Sequence, residues 1–241
     1  MELSEFLSDH DAERARRTLA RLQLGPTSPL VLTGGFAIEM HLLRGGFATE
    51  PRPLNDIDFL AESFEAIPAS AFVGMIFRHV HPHDPPGKTL LQSVDPETAV
   101  RVDVFRACGN TIARAVPITI EGRELRVVSA EDLAARAARL CMDLACGTPI
   151  PAKHARDFQR LLPLLKTNAV NAIWPEHRKP NHPASFAETV TLLTDLIAAR
   201  RDLQTAHNYS SDTKQACSRC EATDVFPLAG AEQVFSLLGY C

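Results

Sequence analysis

The stretch from Leu30 to Phe59, joined by one further carboxylate at Asp103, constrains this chain more than any other. It reads Leu30-Val-Leu-Thr-Gly-Gly-Phe36, continues as a helix-like run to Leu43, and reaches Arg52-Pro-Leu-Asn-Asp-Ile-Asp-Phe59 after a proline-bearing loop. A short apolar run that ends in Gly34-Gly35 and leads into an amphipathic segment predicts a strand turning into a helix. Glycines at such a turn let main-chain amides approach a phosphate at the helix start. Asp56 and Asp58 flank Ile57, and residues two apart on a strand share a face, so both carboxylates point the same way. Side by side they repel unless a cation lies between them, and an all-oxygen ligand set suits Mg²⁺ better than zinc. Val100-Arg-Val-Asp103-Val-Phe105 repeats the apolar-flanked aspartate on a second predicted strand. Each piece alone is commonplace, since Gly-Gly is commonly a turn and Asp-x-Asp commonly a solvated loop. Their order is what selects.

A Gly-Gly pair, an Asp-x-Asp and a later single Asp, in that order, resemble the nucleotidyltransferase superfamily. The Arg52-Pro-x-x-Asp-Ile-Asp form is most similar to the AbiEii-type nucleotidyltransferase toxins of bacterial toxin–antitoxin and phage-abortive systems. The resemblance spans about residues 25 to 166 and is carried by motifs. It implies an α+β chain, a nucleotidyltransferase-fold mixed β-sheet domain followed by a helical C-terminal half. It implies transfer of a nucleoside monophosphate from an NTP to an acceptor hydroxyl, with RNA (a tRNA end) as the first acceptor and a cognate antitoxin as a protein partner. Asp56, Asp58 and Asp103 would hold Mg²⁺, while Thr33, Gly34 and Gly35 would meet the phosphates. Glu131-Asp132-Leu133 and Lys153-His-Ala-Arg-Asp157-Phe-Gln-Arg-Leu161 look like the family's Lys…Asp…Leu segment. There the lysine neutralises the triphosphate and the aspartate sits near the metal. Lys153 and Asp157 are four apart and share a helix face, although as a bare surface ion pair they would contribute little. The chain departs from the pattern at Arg136 and Arg139, where many relatives carry a lysine shortly after the Glu-Asp-Leu start.

Of 241 residues, 45% are hydrophobic and 22% charged, and the net charge is −4. That composition supports a full core and argues against a uniformly basic nucleic-acid binder. The charge is uneven: residues 1–135 hold 13 Lys+Arg and 19 Asp+Glu, whereas residues 136–219 hold 12 and 7. The acidic part carries the metal-type carboxylates, and the basic part suits a polyanion or a solvated helical surface. The acidic balance keeps a second acceptor class open, a polycationic small molecule of antibiotic type. A non-catalytic binding module on the same fold is the third reading. The acidic N-terminus has no apolar core of a signal peptide, and no apolar run approaches the about 20 residues of a membrane helix. The expectation is a cytoplasmic protein with no membrane contact.

Ala12, Ala15, Leu19 and Leu22 give Asp9 to Leu24 a helical stripe, which Gly25-Pro26 stops. The spacing predicts a strand at Leu30–Leu32, a helix at Phe36–Leu43 and a strand at Asp56–Leu60. Pro51 and Pro53 keep the intervening loop extended. A short helix is expected within Ser63–Val73. Met75 to His83 alternates, placing His79, His81 and His83 on one strand face as a solvent-facing row. Thr89–Val94 and Ala99–Phe105 read as an antiparallel pair, and Thr111–Ile120 and Leu125–Val128 as two further strands. Ser129 then has the form of a helix N-cap followed by acids. Helices follow at Leu133–Cys146, Ala152–Leu165 and Phe186–Leu203, the last with Leu192, Leu193, Leu196 and Ile197 on its apolar face. Asn168–Ser185 reads as irregular. The expected units are a catalytic domain at 1–128, a helical domain at 129–205 and a cysteine-containing tail at 206–241. In that tail His207, Cys217, Cys220 and Cys241 match a Cys₃His zinc site, and free thiols are equally admissible.

Overall fold

A Ser8 cap opens the first helix, α1 (Asp9–Arg21): its Oγ accepts from the Asp11 amide at 3.2 Å. Asp9 and Asp11 in the first turn suit the helix dipole. The chain then enters β1 (Val31–Thr33) and passes without a linker into α2 (Gly34–Arg44), whose residues from Phe36 to Leu42 are all buried. A helix buried on nearly every face lies inside the molecule rather than on its surface. The computed structural model describes residues 1–204 except 50, 149 and 151, together with residue 236.

Six more strands follow: β2 (Asp56–Ala61), β3 (Ile76–Val80), β4 (Thr89–Val94), β5 (Arg101–Arg106), β6 (Val116–Ile120) and β7 (Arg123–Val127). They join β1 in one seven-stranded sheet of order β3-β4-β5-β2-β1-β7-β6. The sheet is mixed, with β2 parallel to β5 and β1 parallel to β7, and the remaining neighbours antiparallel. The two acidic strands β2 and β5, distant in sequence, are therefore brought together by a parallel pairing across residues 62–100, which carry β3 and β4. Beyond Ser129 the elements among the described residues are helices: α3 (Ala130–Ala145), α4 (Ala152–Leu161), α5 (Thr167–His177), α6 (Phe186–Ala198) and the short α7 (Arg201–Gln204). The fold is α+β, as expected. Among the described residues no helix is long and apolar enough to cross a membrane.

Five local expectations need correction. The short helix in Ser63–Val73 is only a single 3₁₀ turn at Ala69–Phe72. The histidine row breaks up: β3 ends at Val80, its register with β4 shifts between Phe77 and His79, and His79 is buried while His83 is exposed. Thr111–Ile120 is not one strand, because residues 111–114 form turns before β6 begins at Val116. Asn168–Ser185 contains the helix α5 despite Pro175 inside it. Tertiary burial outweighs the local propensity there: Trp174 is fully buried, packs edge-on against Phe186 at 5.6 Å, and donates its indole N–H to the Pro183 carbonyl at 3.0 Å. The helix expected over Phe186–Leu203 divides into α6 and α7, and Leu192 is 40% exposed whereas Leu193 and Ile197 are buried. The zinc ligands expected at His207, Cys217, Cys220 and Cys241 lie outside the described residues.

Candidate active site

Five strands place one polar residue each on a single line across the sheet. Thr33 pairs with Asp58, Asp58 with Asp103, Asp103 with Gln92, and Gln92 with His79. Directly paired residues point to the same face, and Asp56 joins that face two residues before Asp58. Carboxylate oxygens of Asp56, Asp58 and Asp103 all lie within 4.8 Å of one another. Arg101, opposite Asp56 in the parallel register and two residues before Asp103, places its guanidinium on this cluster. It forms an ion pair with Asp56, and its Nε donates to Asp103 Oδ2 at 3.1 Å. Asp103 is 5% exposed and its Oδ1 has no hydrogen-bond partner.

The electrostatics follow from this crowding. Burial, then the charges of Asp56 and Asp103, push the Asp58 carboxyl up to about 8. Burial also pushes Asp103 up to about 6, against the pull of Arg101 and a hydrogen bond from the Gln92 amide. Three close carboxylates, two of them with ionisation opposed by burial, all offering oxygen and with one buried oxygen unpartnered, form a donor set that fits a hard divalent cation such as Mg²⁺.

The glycine pair makes room for side chains. Gly34 has φ +68°, and a Cβ there would fall 2.0 Å from Asp58 Oδ2. A Cβ on Gly35 would fall 2.7 Å from the guanidinium carbon of Arg52. That guanidinium donates to the Gly35 carbonyl at 3.0 Å and to Glu39 Oε1 at 2.9 Å. Arg160 of α4 grips the same fully buried Glu39 through two bonds of 2.6 and 2.7 Å. Asp157, one turn earlier on α4, comes within 3.8 Å of Arg52 and is buried with Oδ1 unpartnered; burial raises its pKa although Arg52 opposes this. The structure thus brings Asp157 to the arginine behind Gly35. Among the described residues Lys153 and Asp157 form no ion pair. Lys153 is half-buried; burial, then the charges of Lys153 and Arg136, lower the His154 pKa to about 4.

Beside Thr33 a cleft lies between the sheet and α3, lined by Thr33, Leu60, Arg106, Cys108, Arg136 and Arg139 among others; none of the three aspartates lines it. Arg136 lies over the Phe105 ring at 5.1 Å. Burial lowers its hold on its proton, while the Asp58 charge raises it. Thr33 is 1% exposed and its Oγ1 has no partner. Asp132, which the sequence presents as a first-turn acid, is a buried hub. It accepts from Arg114 at 2.7 and 3.0 Å, from Ser129 Oγ at 2.6 Å and from Thr111 at 3.2 Å, and pairs with His177 at 2.9 Å. Burial works against its charge, but the bonds from His177, Arg114 and Ser129 hold its carboxyl well below the usual carboxylate range.

Glu39 and Arg101 received no role from motif reading, and Arg52, Arg136 and Arg160 appeared there only as part of a motif or a departure from it. Two carried a signal. Arg101 shares its strand face with Asp103, and Glu39 is a carboxylate in an apolar helix four residues after Gly35.

No family model and no curated protein matches this chain. Several solved structures are similar to it at low identity. The antibiotic-resistance factor ANT(2″)-Ia is 16% identical over 79% of this chain and 96% of its own, with a TM-score of 0.45. JHP933 from Helicobacter pylori is 14% identical over 83% of each chain, with a TM-score of 0.44. An antigenic nucleotidyltransferase-like protein from Paracoccidioides brasiliensis is 16% identical over 83% of this chain and 92% of its own, with a TM-score of 0.43.

Proposed function

We propose that this protein is a Mg²⁺-dependent nucleotidyltransferase that moves a nucleoside monophosphate from an NTP to an acceptor hydroxyl. The carrying observation is the convergence of Asp56, Asp58 and Asp103 within 4.8 Å on one sheet face, directly beside the Thr33-Gly34-Gly35 turn. Residues 1–128 would then be the catalytic domain and 129–205 a helical domain closing the cleft. Mg²⁺ bound to the three aspartates supplies charge stabilisation for the oxygens of an in-line displacement. The chain itself provides positioning and electrostatics, which dominate phosphoryl-type transfers. Asp103, with one carboxylate oxygen unpartnered, accepts the proton of the acceptor hydroxyl. Thr33 Oγ1 and the amides after Gly34 donate to phosphate oxygens. Arg136, Arg139 and Lys153 neutralise the triphosphate.

The acceptor we infer is RNA. Arg106, Arg136 and Arg139 line the cleft, and its one acidic side chain, Asp132, has both oxygens engaged. Such a wall favours a polyanion over a polycationic antibiotic. Purified protein incubated with each labelled NTP and Mg²⁺, with total tRNA or an aminoglycoside panel as acceptor, tests the reading. The expected product is labelled tRNA that is absent in Asp56→Ala. Label on the aminoglycosides alone overturns the RNA assignment, and label on neither overturns the enzyme assignment.

A further inference from the structure

Arg101 is the least accountable residue of the acid cluster if that cluster only binds metal. A cation-binding face excludes fixed positive charge, yet Arg101 lies on it, with its guanidinium in ion-pair contact with Asp56 and 3.1 Å from Asp103. The register makes this unavoidable: Arg101 is the Cα partner of Asp56 and shares its side with Asp103. The guanidinium is shut in, with 12% of its side chain exposed. The polar neighbours beyond it on that face are Gln92 and His79, and neither is an acid.

We propose that Arg101 is a built-in counter-ion that occupies the cation position of the Asp56–Asp58–Asp103 cluster and competes with divalent metal for it. The proposal rests on the metal-binding reading of the three aspartates given above. The physical reason is the cluster's own repulsion. Three close carboxylates in a partly dehydrated site require positive charge, and a tethered guanidinium supplies it without the cost of recruiting an ion from solution. Arg101 must release Asp56 Oδ2 and Asp103 Oδ2 before those oxygens can turn to a metal. Free Mg²⁺ or Mn²⁺ therefore binds weakly. Metal arriving with a triphosphate binds well, because the same phosphates give the displaced guanidinium a new anionic partner. Arg101 acts as a positioning residue that makes metal loading depend on nucleotide, and so protects the site from filling without substrate.

Mn²⁺ binding, read by the loss of free-ion paramagnetic resonance signal, tests this on the full chain without any turnover. Wild type, Arg101→Gln and Arg101→Lys are titrated with Mn²⁺, alone and with a non-hydrolysable NTP analogue. The expected result is that Arg101→Gln binds Mn²⁺ alone about tenfold or more tighter than wild type, a shift of about 1.4 kcal/mol, and that the analogue strengthens Mn²⁺ binding far less in it than in wild type. Arg101→Lys, which keeps the charge and loses the forked reach, falls between them. Thermal melts of the metal-free variants confirm that each is folded; should Arg101→Gln melt below the assay temperature, Arg101→Lys against wild type carries the comparison. Equal or weaker Mn²⁺ binding by the folded variant overturns the role of Arg101 and leaves the metal site standing. Absence of Mn²⁺ binding in every protein, with or without the analogue, overturns both.

Discussion

Gly34→Ala should disable this protein by a route that its neighbour in kind, Gly46→Ala, does not share. Both glycines adopt left-handed backbone, φ +68° and +75°, and nothing lies within 4 Å of a Cβ built on Gly46. The Gly46 substitution therefore registers the backbone penalty alone, about 1–2 kcal/mol for an L-residue in that region. At Gly34 the new methyl would meet Asp58 Oδ2 at 2.0 Å, Cγ at 2.8 Å and Cβ at 2.9 Å. Rotating the carboxylate away removes the first contact and leaves the last, because the Asp58 Cβ is fixed by the backbone of β2, paired to β1 at Thr33. Either the strands part or the carboxylate leaves the cluster. Overpacking of that kind costs about 1–3 kcal/mol, so Gly34→Ala should lose about 2–5 kcal/mol in all. Urea unfolding in EDTA measures both variants, and Mn²⁺ titration with an NTP analogue reads the cluster. The expected outcome is a loss larger for Gly34→Ala by about 1–3 kcal/mol, with metal binding reduced in that variant only. Equal losses within about 0.5 kcal/mol, with normal metal binding, would refute the claim that Gly34 exists to make room for Asp58.

Three other measurements probe the site. Asp58 has a folded pKa raised to about 8, so its ionisation opposes folding: the penalty is absent below the unfolded value near 4 and complete above about 8. The metal-free stability gain of Asp58→Asn over wild type should consequently grow from pH 5 to pH 8 and shrink when Mg²⁺ and NTP are added; a gain independent of pH contradicts this. Asp132→Ala removes the acceptor of Arg114 and His177 in a buried site and should cost about 3–5 kcal/mol in urea unfolding, whereas a loss below about 1 kcal/mol would mean the hub relaxes onto Glu176. Lys153→Ala should raise the KM for NTP or lower kcat while changing stability by no more than about 0.5 kcal/mol, and unchanged NTP kinetics would make it a surface residue.

Short-range patterns in the sequence were sufficient for much of the architecture. The Ser129 cap, the Asp-Ile-Asp strand and the α+β succession are each specified by residues within a few positions of one another. What failed were segments whose state is decided by distant partners. α5 carries a proline and polar residues that disfavour a helix, and it forms because Trp174 and Val170 are buried against other helices. His79 alternates like a solvent-facing residue, yet a register shift in β3 leaves it inside.

The candidate site divides in the same way. Local pattern alone puts Asp56 and Asp58 on one strand face and a glycine pair ahead of a helix, since a period of two and the freedom of glycine are local properties. It also marked Asp103 as a third carboxylate on a strand. Only the tertiary structure decided that β5 lies parallel beside β2, in the register that sets Asp103 opposite Asp58. Only it decided that Arg101 closes on the cluster, that Asp157 comes to Arg52, and that Arg136 enters the cleft over Phe105. Strand order and register across long excursions are fixed by the burial of whole faces against each other, a property of the assembled sheet that no single stretch of the chain contains.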